Sequence, residues 1–245
     1  MGSEMCIRDS FLDLTVLLEE MGRSLVPGPF VPTVVLCGLP ILAVGTEEQK
    51  RDFLPQIAGG EAILTMALTE PSASYDAQGI EARAWLDNGD YIISGTKLFV
   101  PDAHVARYLL CVVRTGEGIT LLLTDARSRG IRCTLLRTLA SDRQCEVIFD
   151  AVRVPQKNTL GRRGDGWGLV EETLRSAAVA GCALMLGSAQ RVLEMTVDYV
   201  KQRVQYGRPI GSFQVVQHLR DIDGGLSSAA LISISTARST TISAT

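Results

Sequence analysis

The chain has 245 residues, a formal net charge of -3 and a hydrophobic share of 46%. This is enough apolar material for a sizeable core, which excludes a wholly disordered chain. Its 24 basic and 27 acidic residues nearly cancel and form no long block of one sign, which excludes a nucleic-acid binder that reads phosphates through a basic face.

The cysteines and histidines point away from disulfides and metal sites. Six cysteines lie far apart without a C-x-x-C pair, and the chain has only two histidines. We therefore predict free thiols in a reducing, cytoplasmic compartment and no structural metal.

Residues 24–46 carry no charge, but four prolines interrupt them. Because proline at that density suits loops and short buried helices, we expect no membrane span.

The first part of the chain is predicted to be helical over residues 11–63, after a leader or artefact at 1–10. Apolar residues from Leu14 to Leu25 follow a helical spacing, which predicts an amphipathic helix that is ended by Pro27-Gly28-Pro29. Thr46 and Gln49 form the pattern of a capping box, so a second helix should begin there. That helix is expected to fail near Pro55, and at the latest at Gly59.

The middle of the chain, residues 64–160, has the pattern of a small β domain, either a barrel or a sandwich. Short apolar runs alternate with turn residues, and the pair Asn88-Gly89 is typical of a hairpin. The predicted strands cover residues 64–68, 82–86, 91–94, 97–100, 108–113, 119–124, 131–135 and 146–149.

The remainder is predicted to be helical over residues 161–223, with a long helix that reaches about Arg203 and stops at Gly207. Residues 224–245 form an atypical tail rich in Ser, Thr, Ala and Ile. The whole is an α+β chain: an N-terminal helical segment, a central β domain, and the start of a C-terminal helical bundle that appears truncated.

Four segments, in this order, resemble the acyl-CoA dehydrogenase family. The resemblance covers roughly residues 12–223, and a chance match of all four in order is improbable. The segments are MALTEPSASYD at 66–76, YIISGTKLFVPDAHVA at 91–106, FDAVRVPQKNTLGRRGDGW at 149–167 and YVKQRVQYGRPIGSFQVVQH at 199–218.

The resemblance implies that the chain binds FAD. In the family, backbone and hydroxyl donors stabilise the negative charge that the reduced flavin ring holds around N1 and O2. The matching positions are the backbone from Met66 to Leu68 and the hydroxyl of Thr69. Phe99 matches an aromatic ring placed against the flavin.

The last segment implies contacts with the rest of the cofactor. Arg203 matches an arginine that pairs with the FAD pyrophosphate across a dimer, a contact that suits the guanidinium fork. Gln214 matches a polar contact to the adenosine side. The resemblance also implies a homodimer, a tetramer or a hetero-oligomer.

Several residues depart from the family pattern. Tyr75 stands where a small serine near the substrate thioester is common, and Pro101 replaces a flavin-contacting threonine. The family needs a carboxylate base, which most members carry beyond the Arg203 segment. A minority carries it at the position of Ala177, beside an arginine that is Ala178 here, so we assign no catalytic base and expect this chain alone to be inactive.

The resemblance implies α,β-desaturation of an acyl-CoA thioester, with electrons passed to an electron-transfer flavoprotein. Two alternatives remain open. One is a non-catalytic FAD-holding subunit of a hetero-oligomeric acyl-CoA dehydrogenase, and the other is a flavin-dependent oxidase or monooxygenase on the same fold.

Overall fold

The computed structural model describes residues 5–74 and 76–217. They divide into two compact units. The first, which we call the helical unit, comprises the described residues within 1–27 and 175–245; the second, the β unit, comprises the described residues within 28–174.

The β unit begins with short helices. A π-helical segment at Val31–Gly38 continues directly into α2 at Leu39–Val44, and α3 follows at Glu47–Ala58. Thr46 and Gln49 form the predicted capping box of α3, since each side chain bonds the other residue's backbone N–H. The helix passes Pro55 and ends at Gly59, so the earlier of the two predicted stops is wrong.

The sheet of the β unit has eight strands. They are β1 Leu64–Ala67, β2 Arg83–Asp87, β3 Asp90–Pro101, β4 Tyr108–Thr115, β5 Gly118–Asp125, β6 Ile131–Leu135, β7 Gln144–Pro155 and β8 Thr159–Leu160. Their order is β6-β7-β3-β2-β4-β5-β8, and β1 pairs separately with β4. The turn at Asn88-Gly89 joins β2 to β3, and both of its residues have positive φ, as a tight hairpin requires.

Strands β4 and β5 are buried on both faces. On β4, Leu109 and Cys111 belong to a core formed with β2, β3 and β7, while Leu110 and Val112 belong to a second core shared with β1, β8 and α2. Successive side chains of a strand point to opposite faces, so a strand between two cores must be continuously apolar. This explains the runs YLLCVV and ITLLLT.

The helical unit contains α1 at Met5–Arg23 and the greater part of α4, a single helix at Gly166–Gln202. The two helices pack closely where Gly22 lies against Leu184 and Gly187 lies against Glu19. Beyond α4 follow a small hairpin, β9 at Val204–Gln205 and β10 at Arg208–Pro209, and a short helix, α5, at Gln214–Gln217.

By length and composition α4 is apolar enough to cross a membrane, a test that core helices of globular proteins also pass. Its packing against α1 accounts for part of that apolar surface. The hydroxyl of Ser188 donates a hydrogen bond to the carbonyl of Gly22 at 2.9 Å, and Arg23 forms an ion pair with Glu194. We therefore read α4 as a packed helix of this unit.

Candidate functional site

One edge of strand β1 is open. The strand pairs in parallel with β4 on one side only. On the other side, the hydroxyl of Thr33 accepts a hydrogen bond from the N–H of Leu64 at 3.2 Å and donates one to its carbonyl at 3.0 Å. Thr33, in the π-helical segment, thus takes the place of a neighbouring strand for one residue.

The next two donors on this edge are the N–H groups of Met66 and Leu68. Backbone groups of a strand alternate in direction, so these two residues face the same side as Leu64, away from β4. Within the described chain, no residue accepts a hydrogen bond from either N–H, and none bonds the hydroxyl of the half-buried Thr69. Three donors within four residues are therefore available to a ligand.

A buried ion pair lies next to these donors. Lys97 on β3 and Glu70, the residue after Thr69, are 0% and 3% exposed, and 2.6 Å separates Lys97 Nζ from Glu70 Oε1. Lys97 Nζ also donates to the carbonyl of Leu68 at 3.0 Å, and the N–H of Leu98 donates to the carbonyl of Thr69 at 2.8 Å. The turn that follows β1 is thereby tied to β3 at three consecutive residues.

Both oxygens of the Glu70 carboxylate accept hydrogen bonds. The carboxylate accepts hydrogen bonds from the backbone N–H groups of Glu81 and Ala82, with distances of 2.8 to 3.1 Å. Burial lowers the pKa of Lys97, and the Glu70 charge opposes that shift. A pair satisfied in this way avoids the large penalty of an unpaired buried charge.

Phe99 lies next to this turn on an irregular part of β3. The register between β3 and β7 shifts between Lys97 and Val100, and Phe99 in this bulge has φ of 53°. Because of the extra residue, Lys97 and Val100 are both buried although they are three positions apart, and the Phe99 ring is left 52% exposed. A bulky residue in the left-handed region is rare and occurs mainly where a side chain must be aimed.

Arg203 and Gln214 lie in the helical unit, on the segment around β9 and β10. The N–H of Arg203 bonds the carbonyl of Tyr199, its carbonyl accepts from the N–H of Ile210, and both distances are 2.8 Å. The side chains of Arg203 and Gln214 are exposed. The structure thus groups Met66, Leu68, Thr69 and Phe99 in the β unit, whereas these two residues belong to the other unit. Tyr75 lies outside the described residues.

Three further positions considered in the sequence have a structural role or no role in the chemistry. Asp76 accepts hydrogen bonds from the N–H of Gly79 and from the hydroxyl of Ser74, both at 3.0 Å, and these contacts lower its pKa. Ala177 and Ala178 lie within α4; Ala177 is half-buried and Ala178 is exposed. A methyl group at Ala177 has no acid-base chemistry, so this position supplies no base.

Sequence reasoning missed Lys97, Glu70 and Thr33. A signal was present for Lys97: it is one of four lysines in the chain and stands in a strand rich in apolar residues. A charged residue within such a strand needs a partner of opposite charge if it is buried. Glu70 was visible in the Thr-Glu-Pro turn, but nothing local pairs it with a residue 27 positions away.

Comparisons with known proteins agree with the four matching segments. Models of the N-terminal, middle and C-terminal domains of acyl-CoA dehydrogenases match residues 3–61, 65–152 and 164–230. An acyl-CoA dehydrogenase of Bacillus subtilis (strain 168) is 34% identical over 183 residues, which are 71% of this chain and 48% of that protein. The chain spans about half the length of the curated relatives that it matches.

Solved structures show the same fold. The glutaryl-coenzyme A dehydrogenase glutaryl-CoA complex superposes with a TM-score of 0.88 at 25% identity, covering 96% of this chain and 62% of the other. PigA with FAD and proline has a TM-score of 0.85 at 26% identity, covering 93% and 63%. With all three domain models matched in order, this chain belongs to the acyl-CoA dehydrogenase family.

Proposed function

We propose that this chain forms part of an FAD-dependent dehydrogenase of acyl-CoA thioesters. The reaction removes a proton from the α carbon and a hydride from the β carbon, leaving a double bond between them. FAD, when bound, would accept the hydride. An electron-transfer flavoprotein would be the next electron acceptor, in the cytoplasm.

The observation that carries this proposal is the set of unpartnered donors at the open edge of β1. The N–H groups of Met66 and Leu68 and the hydroxyl of Thr69 make no hydrogen bond to another described residue, although buried or half-buried polar groups normally find a partner. Donors fixed in this way stabilise a ligand that gains negative charge. Beside them, the exposed Phe99 offers an apolar ring to a planar aromatic ligand.

The other residues suit the remainder of the cofactor. A guanidinium can form bidentate hydrogen bonds to phosphate oxygens, which suits Arg203 to the pyrophosphate. The amide of Gln214 can form hydrogen bonds on the adenosine side. In the proposed oligomer this arginine serves the FAD of a neighbouring subunit. Tyr75 is the proposed substrate contact beside the thioester.

The test is FAD binding by the purified protein and by Thr69→Val, which removes the hydroxyl at nearly constant volume. Losing one neutral hydrogen bond should weaken FAD about threefold to tenfold. Titration followed by flavin absorbance and fluorescence measures the change. Thr134→Val, an exposed hydroxyl on β6, is the matched control and should bind FAD as the wild type does.

A wild-type protein that does not bind FAD would contradict the proposal. Equal affinities of the wild type and Thr69→Val would remove Thr69 from the site. Where FAD binds, a panel of acyl-CoA thioesters is added without oxygen and products are identified by mass spectrometry. A loss of two hydrogens from any of them would support the dehydrogenase activity and would contradict the expectation that this chain alone is inactive.

A further inference from the structure

The buried pair Lys97–Glu70 is not explained by stability. Two charges of opposite sign in a protein interior rarely stabilise the fold more than apolar residues of similar size would, because desolvation offsets their attraction. Here both side chains are almost fully buried within one β unit, and both contact the backbone that follows β1. A role in arranging that backbone would explain why the pair is buried there.

The contacts define what the pair arranges. Lys97 Nζ bonds the carbonyl of Leu68, which faces the same side of the strand as the free N–H of that residue. Glu70 is held by the N–H groups of Glu81 and Ala82, the two residues before β2. The two anchored residues are therefore Leu68 and Glu70, and Thr69 lies between them, so the direction of both free donors depends on the pair.

We propose that Lys97 and Glu70 are positioning residues that hold the Leu68–Thr69 donors in the geometry that binds the flavin ring. The inference rests on the proposed function for the identity of the ligand. Neither residue needs to contact the flavin. The buried pair keeps the turn in one conformation before the ligand binds. Less conformational entropy is therefore lost when the ligand binds.

The decisive variant is Lys97→Met/Glu70→Gln. It removes both charges, so no unpaired charge is left buried, and the glutamine oxygen can still accept from Glu81 and Ala82. We expect it to recover most of the stability that Lys97→Met alone loses. It lacks the bond to the Leu68 carbonyl, and if the turn then holds its binding conformation a tenth of the time, the FAD dissociation constant rises about tenfold.

Two measurements separate positioning from general loosening. Hydrogen-deuterium exchange of the FAD-free protein should be faster in the peptide that covers residues 64–70 of the double variant. Val154→Ala, buried on β7 beside Tyr91 at the other end of β3, is the control. It should lower the unfolding midpoint while leaving both the exchange of that peptide and FAD affinity unchanged.

The outcomes distinguish the two proposals. If the wild type binds FAD and the folded double variant binds it equally well, with unchanged exchange at residues 64–70, the pair is merely structural and this inference is wrong. If the wild type binds no FAD, the proposed function fails and the inference fails with it. Weaker FAD binding in Val154→Ala, to the same extent as in the double variant, would also overturn it.

Discussion

Thr69 follows a strand whose four residues are all buried, whereas Arg203 lies in a stretch where every residue from 201 to 209 is exposed. The residues proposed for the flavin ring are thus braced from behind by β3, β4 and a buried ion pair. The segment that carries those proposed for the pyrophosphate and adenosine is held by the backbone bonds of a small hairpin and by contacts of the Phe213 ring with Tyr206 and Arg208. We conclude that the β unit holds the proposed flavin donors by itself, whereas the exposed side chains of Arg203 and Gln214 need a ligand or a neighbouring subunit to hold them.

The largest effect should come from the core beneath β1. Leu110 on β4 is fully buried and pairs with Met66, so Leu110→Ala leaves a cavity under the donor strand and should lower the free energy of unfolding by about 2 to 5 kcal/mol. Urea denaturation measures the change. Val204→Ala, on a residue of β9 that is 53% exposed, should change it by less than about 0.5 kcal/mol. Equal losses would refute the contrast between the two regions.

Arg203→Ala tests the hairpin side of the comparison. The loss of a charge-assisted contact typically costs about 1.5 to 3 kcal/mol, which is roughly a tenfold to hundredfold weaker FAD affinity. Because the side chain is exposed, the unfolding midpoint should stay the same. Arg191→Ala, an exposed arginine of α4 paired with Glu194, should retain FAD. Full flavin occupancy in Arg203→Ala at micromolar protein would remove Arg203 from the site.

Two glycines of α4 should respond with opposite signs. At Gly187 a Cβ atom would meet the carbonyl oxygen of Glu19 in α1, so Gly187→Ala must separate the two helices and should destabilise by about 1 to 3 kcal/mol. At Gly181 a Cβ has open space, and Gly181→Ala should stabilise by about 0.5 to 1 kcal/mol because alanine favours the helix. Thermal unfolding of both variants is the measurement. A stabilised Gly187→Ala would contradict the packing of α1 on α4.

The smallest effect concerns pH. Burial raises the pKa of Cys111 from 9.0 to about 12. The unfolded chain therefore loses this proton first, so the contribution of the thiol to stability is complete below pH 9 and is lost as pH rises toward 12. Between pH 8 and 9.5 the loss is less than about 1 kcal/mol. Urea denaturation of the wild type and Cys111→Ala should show a shallower decline in the variant; identical slopes would place a titrating group elsewhere.

Most of the local structure could be predicted from the sequence because its causes are local. The capping box at Thr46 and the hairpin at Asn88-Gly89 occur as expected. The two strands predicted at 91–94 and 97–100 are one strand, β3, with register shifts between Ile93 and Gly95 and between Lys97 and Val100. A bulge depends on the pairing with the partner strand, here β7, so the sequence of β3 alone does not predict it.

The candidate site also has a part that the sequence predicts and a part that it does not. The segment from Met66 to Thr69 could be named from its motif, since those residues are contiguous. The ion pair that supports it joins positions 70 and 97, and Thr33 reaches Leu64 across 31 residues. Such contacts follow from the sheet topology and the π-helical segment, neither of which a single sequence specifies. The motif therefore named the proposed donors, and only the structure shows what holds that backbone.

The open edge of β1 also bears on aggregation. A strand with unpaired backbone groups can recruit a strand from another molecule, and folded proteins protect such edges with charges or by keeping them short. Here the hydroxyl of Thr33 occupies the groups of Leu64, and the ammonium of Lys97 occupies the carbonyl of Leu68. The unpaired edge is thereby shortened to little more than the groups of Met66 and the N–H of Leu68, too short for a second chain to pair with. The protein can therefore keep an edge ready for a small ligand without offering it to a copy of itself.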